Sequence, residues 1–587
     1  MGCNISSSTK TKRSENVLRA ALIIQNWYRG YRARLKTRQR YALTIFQSIE
    51  YADEQGQLQL SNFFTFMLEN YSHIHERDPE FVNRLFGYAL QDKGRQECVG
   101  LVDVPDSYTG PRLQFPLTFT DLRLLIEAFK RQQILHARYV LEVLFETKKN
   151  LKQMPNFTHV KSSPAKDITI CGDLHGKLDD LFLIFYKNGL PSESNSYIFN
   201  GDFVDRGKNS IEILMILFVS FLVYPNSLHL NRGNHEDFLM NMRYGFTKEI
   251  LHKYKLHGKK ILQLLEELFA WLPIGTIVDN EVLVIHGGIS ESTDLNLLYS
   301  IKRNKMKSVL MPPTPVDDNY VTDGKKNKIG MARGTKVTTS FSEQLAKHEW
   351  EQVITVFSAS NYYEEGSNRG AYVKLDFGLV PRFFQYQVTK ATCLRPLYQR
   401  VHTIETSAIR ILKERMISRK SDLINAFQLQ DCNKSGKLSV SQWASSMENV
   451  LGLNLPWRFL SSHLGTIDKD GNIDYMSCFD DMHIQKPVQE VQSALIETLY
   501  RYRPDLQIIF NVIDSDHSGL ISMEEFQSMW NLFNSHYNIC IDNSQVDELA
   551  RRMDLNKDGS IDFNEFLKAF YVVHKLDHLN KSDTKNM

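Results

Sequence analysis

Cysteine, net charge and long apolar runs are all scarce in this chain of 587 residues. The seven cysteines are scattered and odd in number, and no secretory apolar region opens the sequence, which favours a reducing, cytosolic setting. The formal net charge of +2 does not bear on nucleic-acid binding, but no clustered basic face with base-stacking aromatic residues is present, so nucleic acid is not expected as a partner. The longest apolar run, 213–224, is too short to cross a bilayer and ends at Pro225, so it is predicted to be a buried helix.

The remaining composition is ordinary for a globular protein, with 42% hydrophobic and 24% charged residues. A chain of this length exceeds what one hydrophobic core supports, which predicts three or four modules.

Four short apolar segments each end in a polar cluster. Segments of this length, broken by glycine and separated by helical stretches, are typical of buried strands in an α/β sheet. Ligand and catalytic groups collect at the carboxyl ends of such strands. The clusters are Gly172-Asp173-Leu174-His175-Gly176, Gly201-Asp202-Phe203-Val204-Asp205-Arg206-Gly207, Gly233-Asn234-His235-Glu236 and His286-Gly287-Gly288.

The side chains in these clusters predict a metal site. Asp, His and Asn form a mixed oxygen and nitrogen ligand set, which suits Mn, Fe or Zn better than Ca or Mg. A pair of such ions can clamp the attacking and leaving oxygens of a displacement at phosphorus. Arg206 offers a planar fork for phosphate oxygens. A strand-end turn explains any one cluster by itself, but not four in succession.

The clusters resemble, in the same order, the signature of the metal-dependent phosphoprotein Ser/Thr phosphatases. The resemblance implies an α/β metallophosphatase β-sandwich flanked by helices. It also implies that one metal is held by Asp173, His175 and Asp202, and that Asp202 bridges to a second metal held by Asn234 and His286.

The same resemblance implies the catalytic roles. His235 is implied to be the general acid that protonates the leaving Ser or Thr oxygen, with Asp205 orienting its imidazole. Arg206 and Asn234 are implied to bind the phosphate. Chemistry agrees with this assignment, because an alkoxide leaves poorly unless a positioned acid donates a proton.

The sequence departs from this family between 302 and 352. The family supplies there an Arg that clamps the phosphate and a His that completes the second metal site, and neither motif is present. Arg333 and His348 are the nearest substitutes, but neither lies in a matching motif. Losing a phosphate donor costs ~2.7–4 kcal/mol of transition-state stabilisation. The segment would also supply strands of the sandwich, so the chain is predicted to be a shortened form.

The remainder of the catalytic region surrounds these clusters. Two helical stretches, 121–130 and 133–149, resemble the helical lead-in of a phosphatase domain and are expected to brace it. After the gap, 357–363 resembles the late active-site loop of the family and places Tyr362 near the phosphate. Two closing strands are predicted within 371–386, and the catalytic region is expected to end near Val388.

The amino terminus carries two signals for attachment or binding. Its first residues fit myristoylation at Gly2, with Cys3 as a palmitoylation candidate, and the alternative is an unmodified terminus. One acyl chain binds a membrane only marginally, so membrane association needs a second signal.

A basic amphipathic helix follows. Between Lys10 and Arg40 there are ten Lys or Arg residues against one acid. This pattern predicts a calmodulin target, a membrane-surface helix or a helix packed on its own domain. The spacing of an IQ motif favours calmodulin or a calmodulin-like protein, through Ile24, Gln25, Arg29, Gly30 and Arg34.

The carboxyl-terminal part carries calcium loops. Two segments match the EF-hand spacing, with oxygen ligands around a Gly at position 6 and a terminal Glu. The predicted Ca²⁺ ligands are Asp514, Asp516, Ser518, Ser522 and Glu525 in one loop, and Asp554, Asn556, Asp558, Ser560 and Glu565 in the other.

An earlier pair of loops is degenerate. In the first, Asp431, Asn433 and Ser435 are followed by Gln442 where a bidentate Glu belongs. The second has Thr466 at position 1 and Ser477 at position 12. Fewer charges and a missing clamp reduce affinity, so this pair is predicted to be structural or to bind calcium only weakly.

The combination of an IQ helix, a phosphatase core and calcium loops resembles the protein phosphatases with EF-hands, the retinal-degeneration-C group. It implies a calcium-regulated phosphatase of sensory or neuronal cells that acts on phosphoproteins. The alternative is a catalytically impaired calcium and calmodulin binding regulator. The predicted divisions are an acylation and IQ segment (1–45), a helical connector (46–104), the catalytic domain (105–390), a degenerate EF-hand pair (391–490) and an all-α calcium-binding EF-hand pair (491–587).

Overall fold

The structure is a computed structural model of the whole chain. The residues that it describes are 5–69, 100, 102–164, 167–289, 293–306, 308–310, 338–339, 354–389, 396–484, 493–513, 520–537, 543–553, 560–562 and 572–574. Within these ranges, no helix combines the length and the apolarity needed to cross a membrane.

Seventeen α-helices lie in the described ranges. Those up to the site region are α1 (Ile5–Glu69), α2 (Phe119–Lys130), α3 (Ala137–Leu151), α4 (Leu178–Asn188), α5 (Ser210–Val223), α6 (Phe238–Tyr244), α7 (Phe246–Tyr254), α8 (Gly258–Ala270) and α9 (Leu295–Ser300). Those in the carboxyl-terminal part are α10 (Leu397–Ile417), α11 (Lys420–Gln430), α12 (Val440–Leu451), α13 (Trp457–Leu464), α14 (Ser493–Arg501), α15 (Arg503–Ile513), α16 (Met523–Tyr537) and α17 (Asn543–Met553).

The strands of the described ranges alternate with these helices. The first ten are β1 (Phe157–Val160), β2 (Asp167–Cys171), β3 (Asn195–Phe199), β4 (Leu228–Leu230), β5 (Gly275–Val278), β6 (Val282–Ile285), β7 (Thr338–Thr339), β8 (Ile354–Thr355), β9 (Gly370–Leu375) and β10 (Pro381–Tyr386). The others are β11 (Lys437–Ser439), β12 (Thr466–Ile467), β13 (Asn472–Asp474), β14 (Met482–Ile484), β15 (Leu520–Ser522), β16 (Ser560–Asp562) and β17 (Val572–His574).

Two sheets form the centre of the catalytic region. One has the order β10-β9-β2-β3-β4, in which β2, β3 and β4 are parallel, and the other has the order β1-β5-β6. Val and Ile side chains of both sheets share one buried cluster, which includes Ile168, Ile198 and Val284. Helices α2, α3, α5 and α8 contribute to a larger apolar cluster that also contains residues of β2 and β3. The predicted α/β sandwich with flanking helices is confirmed.

The local predictions around this sandwich also agree with the structure. The apolar run at 213–224 lies in α5, between β3 and β4. The lead-in helices extend over 119–130 and 137–151, and the closing strands are β9 and β10. These elements are local, and their apolar periodicity is sufficient to predict them.

Helix α1 extends without a break across position 45, where the sequence predicts a change of module. Residues 17–29 are exposed, whereas buried side chains recur from Leu35 onward. Ile45 and Phe63 of α1 share a core with helices of both EF-hand pairs and with Leu239 of α6. One helix therefore joins the IQ segment, the catalytic region and the EF-hand region.

The EF-hand pairs are recognisable by their short strand pairings. In the degenerate pair, Leu438 of β11 faces Ile473 of β13, and in the last pair Ile521 of β15 faces Ile561 of β16. Each pair therefore has one antiparallel contact between its two loop segments among the described residues.

Candidate metal and phosphate site

The strand ends bring the predicted ligands together, as their positions in the sequence suggest. Asp173 and His175 follow β2, Asp202 follows β3, Asn234 follows β4, and His286 follows β6. In each case the strand is mostly apolar and is buried at its carboxyl end, so its polar continuation emerges at the same edge of the sandwich.

The backbone of this edge is strained. His175, Asp202, Asp205 and Arg206 all have positive φ values, of 43°, 54°, 70° and 63°. Each such conformation costs a non-glycine residue on the order of 1–3 kcal/mol, and it persists only where the surrounding fold requires it. The neighbouring Gly233 cannot be replaced by a larger residue, because a Cβ atom there would collide with the Asp202 carboxylate.

The ligand atoms form two overlapping groups around Asp202. Atoms of Asp173, Asp202 and His286 lie within 4.8 Å of one another, as do atoms of His175, Asp202 and His235. His175 Nε2 is 3.7 Å from both Asp173 Oδ2 and Asp202 Oδ2, and His286 Nε2 is 3.4 Å from Asp202 Oδ2.

Asn234 lies beside this group. Its Oδ1 is 2.9 Å from His286 Nε2. Asp202 therefore lies where the two groups of ligand atoms overlap.

The unsatisfied polar atoms of this cluster fit divalent metals. Both carboxylate oxygens of Asp173, Asp202 Oδ2 and His175 Nε2 are buried without a hydrogen-bonding partner among the described residues. A buried polar atom without a partner costs about 1–3 kcal/mol, and more when it is charged. Four such atoms turned toward one another are best explained by cation binding, and the mixed donor set suits Mn, Fe or Zn.

Outer contacts fix the orientation of the two ligand imidazoles. His175 Nδ1 donates to Val204 O over 2.9 Å, and His286 Nδ1 donates to Asn200 O over 2.7 Å. Both rings therefore turn Nε2 toward the carboxylates, and in the neutral form of His175 this nitrogen is unprotonated. This is how metal-binding histidines are commonly held.

The charges of the site are strongly coupled. Burial, together with the nearby Asp202 carboxylate, raises the pKa of Asp173 well above its usual range. Burial lowers the pKa of His175 to about 3. Burial also disfavours the charged form of His286, but Asp202 and Asp173 raise its pKa to about 10. Excess negative charge in a buried cluster is what a bound cation would neutralise.

His235 contacts two carboxylates of the site. Its Nδ1 lies 2.8 Å from Asp205 Oδ2, and its backbone N–H donates to Asp202 Oδ1. Burial disfavours a charged imidazole, but Asp202 and Asp205 raise the pKa of His235 above its usual value. Asn241 holds this arrangement, because its side-chain amide donates to Asp205 Oδ2 and to His235 O.

Arg206 is engaged by a carboxylate of helix α1. Glu50 Oε1 lies 2.8 Å from Arg206 Nη2 and accepts a hydrogen bond from the Tyr362 hydroxyl over 2.9 Å. The Tyr363 hydroxyl donates to the second Glu50 oxygen. The guanidinium also lies over the rings of Tyr362 and Tyr244, at 5.2 and 4.7 Å from their centroids. Tyr362 is thus near Arg206.

Sequence reasoning missed several residues that shape this site. Glu236 is completely buried and accepts hydrogen bonds from the backbone N–H groups of Asp202, Phe203 and Gly233, so it holds two of the clusters together. Its place in the Gly-Asn-His-Glu cluster is a usable signal. Glu50 and Tyr244 carry no such signal, because they reach Arg206 only through the tertiary fold.

Hydrogen bonds within each degenerate loop engage several of its predicted ligand residues. Asp431 accepts hydrogen bonds from Ser435 and Gly436 with different carboxylate oxygens. Gln442 forms a capping box with Ser439 at the start of α12, which is a structural role rather than that of a loop ligand. In the second loop, Ser477 Oγ accepts the N–H of Thr466. The side chain of Asn433 is exposed and forms no hydrogen bond with the described residues.

Several predicted residues lie outside the described ranges. These are Gly2, Cys3, Arg333, His348, Asp514, Asp516, Ser518, Asp554, Asn556, Asp558 and Glu565. The described backbone includes Ser522, Glu525 and Ser560, but the side chains of Glu525 and Ser560 are not described.

The IQ residues lie on the exposed part of α1. Ile24 and Trp27 have 64% and 63% of their surface exposed, and Leu18 and Leu22 are also exposed. A contiguous apolar face of this kind marks an interaction site.

Comparison with family models agrees with this arrangement. The calcineurin-like phosphoesterase model matches residues 166–353, and the model of an EF-hand domain pair matches 503–571. The IQ calmodulin-binding motif matches 18–38, and the PPP5 TPR repeat region matches 94–159.

Similar proteins extend over almost the whole chain. Serine/threonine-protein phosphatase with EF-hands 1 of Homo sapiens is 66% identical over 653 residues and is covered completely, as is this chain. Serine/threonine-protein phosphatase with EF-hands 2 of Homo sapiens is 39% identical, with 96% of this chain and 95% of that protein covered. Serine/threonine-protein phosphatase rdgC of Drosophila melanogaster is 38% identical, with 95% and 90% covered.

Proposed function

Because this chain belongs to the family of calcium-regulated serine/threonine-protein phosphatases with EF-hands, we propose that it hydrolyses phosphoserine and phosphothreonine at a two-metal site. Asp173, His175 and Asp202 would hold one cation, and Asp202, Asn234 and His286 would hold the other. The observation that carries this proposal is the convergence of buried acceptor atoms without partners around Asp202. Divalent cations bound there supply Lewis-acid charge beside the phosphate.

The residues around the ligands perform the proton transfer and the binding of the phosphate. His235 donates a proton to the departing Ser or Thr oxygen, and Asp205 keeps its imidazole oriented through the 2.8 Å contact. Arg206 binds phosphate oxygens through its guanidinium fork, with Asn234 beside it. Tyr362, which contacts Arg206, borders the same place.

Hydrolysis of p-nitrophenyl phosphate with added Mn²⁺ tests this function. We expect the native chain to turn over this substrate, and Asp202→Asn to lose at least about 100-fold in rate, since it removes the bridging charge. Asp167→Asn is the matched control, because Asp167 is partly exposed on β2 and pairs with Lys374 outside the site. Equal rates for the native chain and Asp202→Asn would refute the proposal.

The length of the chain favours a second candidate function. The alignment with the human relative that is 66% identical runs over 653 residues, 66 more than the 587 of this chain. These unmatched positions, together with the absence of two family motifs between 302 and 352, support the alternative of a catalytically impaired calcium and calmodulin binding regulator. In that case the native chain and Asp202→Asn would both lack turnover, whereas binding of calcium and calmodulin would persist.

Helix α1 connects the proposed regulation to the site. The Glu50 carboxylate pairs with Arg206, so it competes with the substrate phosphate for the Arg206 guanidinium. The same helix carries the exposed IQ segment, to which calmodulin is proposed to bind. Binding there would withdraw Glu50 if it displaced α1 from the catalytic region. Acylation of Gly2 and Cys3, with membrane association, remains part of the proposal and is supported by the sequence pattern alone.

A further inference from the structure

A buried ion pair joins the calcium-binding EF-hand region to the catalytic region. Arg243 Nη1 of α6 lies 2.6 Å from Asp505 Oδ1 of α15, and the two side chains are only 10% and 13% exposed. Breaking such a pair by removing one partner is strongly unfavourable, because it leaves an uncompensated buried charge. The two helices also pack directly on each other, with Leu239 and Leu506 in the same apolar cluster.

Helix α6 touches the proton donor and the phosphate-binding arginine. Asn241 donates to Asp205 and to the His235 carbonyl. Tyr244, the last residue of the helix, accepts the Arg206 backbone N–H with its carbonyl over 3.1 Å. Its ring lies 4.9 Å from the His235 ring. A shift of α6 therefore moves the supports of both groups.

Helix α15 leads directly into the first predicted calcium loop. It ends at Ile513, one residue before Asp514, and is the entering helix of that EF-hand. Calcium binding to sensor EF-hands changes the angle between the entering and leaving helices. Asp505 lies in the first turn of α15, on the part of the helix that is anchored to α6.

We propose that the Arg243–Asp505 ion pair transmits calcium binding from the EF-hand to the catalytic site, and that Arg243 is a positioning residue for Arg206 and His235. This inference rests on the proposed function for its effect on turnover. When calcium reorients α15, Asp505 either carries Arg243 with it or releases it. In both cases Tyr244 changes its position relative to Arg206, because Arg243 and Tyr244 are consecutive residues of α6.

Hydrogen–deuterium exchange of the full chain, with Ca²⁺ and with chelator, tests the coupling without relying on turnover. In the native chain we expect Ca²⁺ to change the exchange rates of the 238–244 amides about fivefold or more. Asp505→Asn should reduce this change to less than about twofold while calcium still binds. Asp481→Asn is the matched control, because it neutralises an exposed carboxylate that pairs with Lys413 elsewhere.

Two results would overturn the proposal. One is a native chain that binds Ca²⁺ without any change at 238–244, and the other is an Asp505→Asn variant that keeps the native response. If the single variant does not fold, the exchanged pair Arg243→Glu with Asp505→Arg carries the test, since an ion pair of reversed polarity should restore the response. A folded, calcium-binding exchanged pair without the response also overturns it.

The outcome for turnover distinguishes this inference from the proposed function. If the native chain does not hydrolyse p-nitrophenyl phosphate but shows the calcium response at 238–244, the enzyme proposal fails and the coupling stands. If it does hydrolyse the substrate, Asp505→Asn should weaken the calcium dependence of the rate about fivefold or more, and Asp481→Asn should leave that dependence unchanged.

Discussion

The Asp202 carboxylate belongs to both groups of ligand atoms, and its buried position leaves Oδ2 without a protein partner among the described residues. Its other oxygen accepts the backbone N–H of His235, so the same residue orients the proposed acid. The sequence predicted this residue, because an apolar strand followed by Gly-Asp places the carboxylate at the edge of a sheet. It could not predict Glu50, which is 156 positions from Arg206 and lies in no motif.

Substitution of Glu50 tests the contact that holds Arg206. Glu50→Gln removes the negative charge that competes with phosphate. Because a larger fraction of Arg206 is then free to bind phosphate, we expect the KM for p-nitrophenyl phosphate to fall about tenfold. Glu127→Gln, which neutralises an exposed carboxylate on α2, should leave the KM unchanged. Steady-state kinetics of both variants provides the measurement. An unchanged KM for Glu50→Gln would show that this contact does not limit phosphate binding.

Asp180 gives a prediction about stability and pH. It accepts hydrogen bonds from Ser360 in the late active-site loop, and burial raises its pKa to about 7. The folded state therefore binds more protons than the unfolded state between about pH 4 and 7. Stability from this group is present below about pH 4 and is lost as the pH rises to about 7.

Asp180→Asn removes this ionisation while keeping a hydrogen-bonding amide. We compare the free energy of unfolding of the variant with that of the native chain. As the pH rises from 4.5 to 8, we expect this difference to increase in favour of the variant by up to about 4 kcal/mol. Urea unfolding at both pH values measures the difference between the two proteins. A difference that does not change with pH would contradict the assignment of the raised pKa to Asp180.

At the scale of elements, the strands around the site follow local rules, and the sequence predicts them well. Alternation of apolar strands with helices predicts β2, β3 and β4, and loop spacing predicts the EF-hand domain pair that the family model matches at 503–571. The continuity of α1 across position 45 is different. Its second half is helical because it packs against α10 and α16, and such long-range packing leaves no mark that a local pattern can reveal.

In the degenerate loop at 431–442, hydrogen bonds and an ion pair within the protein occupy groups that would otherwise bind a metal. Its central Lys437 pairs with Asp468 of the neighbouring loop over 3.0 Å, which brings a positive charge into the loop pair. Asp431 already uses its two oxygens for backbone and hydroxyl donors. Calcium would have to displace these contacts without the help of a bidentate Glu.

Calcium titration by calorimetry tests this interpretation. We expect Asp431→Asn to leave the number of bound Ca²⁺ ions unchanged, because the loops that start at Asp514 and Asp554 keep all their predicted ligands, including the terminal Glu. Asp554→Asn should remove one of the two high-affinity ions and serves as the positive control. A loss of one ion in Asp431→Asn would show that the degenerate pair binds calcium.

At the scale of the whole molecule, helix α1 and the EF-hand helices share one apolar core with α6 of the catalytic region. Ion pairs reinforce this assembly, including Arg38–Glu405 and Arg415–Asp53 between α1 and α10. The EF-hand helices and helix α1 are therefore in direct contact with the catalytic region. The sequence identifies each module but not these contacts, because they join residues hundreds of positions apart.

The central claim is that Asp173, His175, Asp202, Asn234 and His286 bind inorganic cations. Mass spectrometric metal analysis of the purified, dialysed full chain tests it most directly, with Asp202→Asn and the exposed control Asp167→Asn measured in parallel. We predict bound Mn, Fe or Zn in the native chain and in Asp167→Asn, and at least about tenfold less in Asp202→Asn. Equal metal content in Asp202→Asn and the native chain would contradict the account.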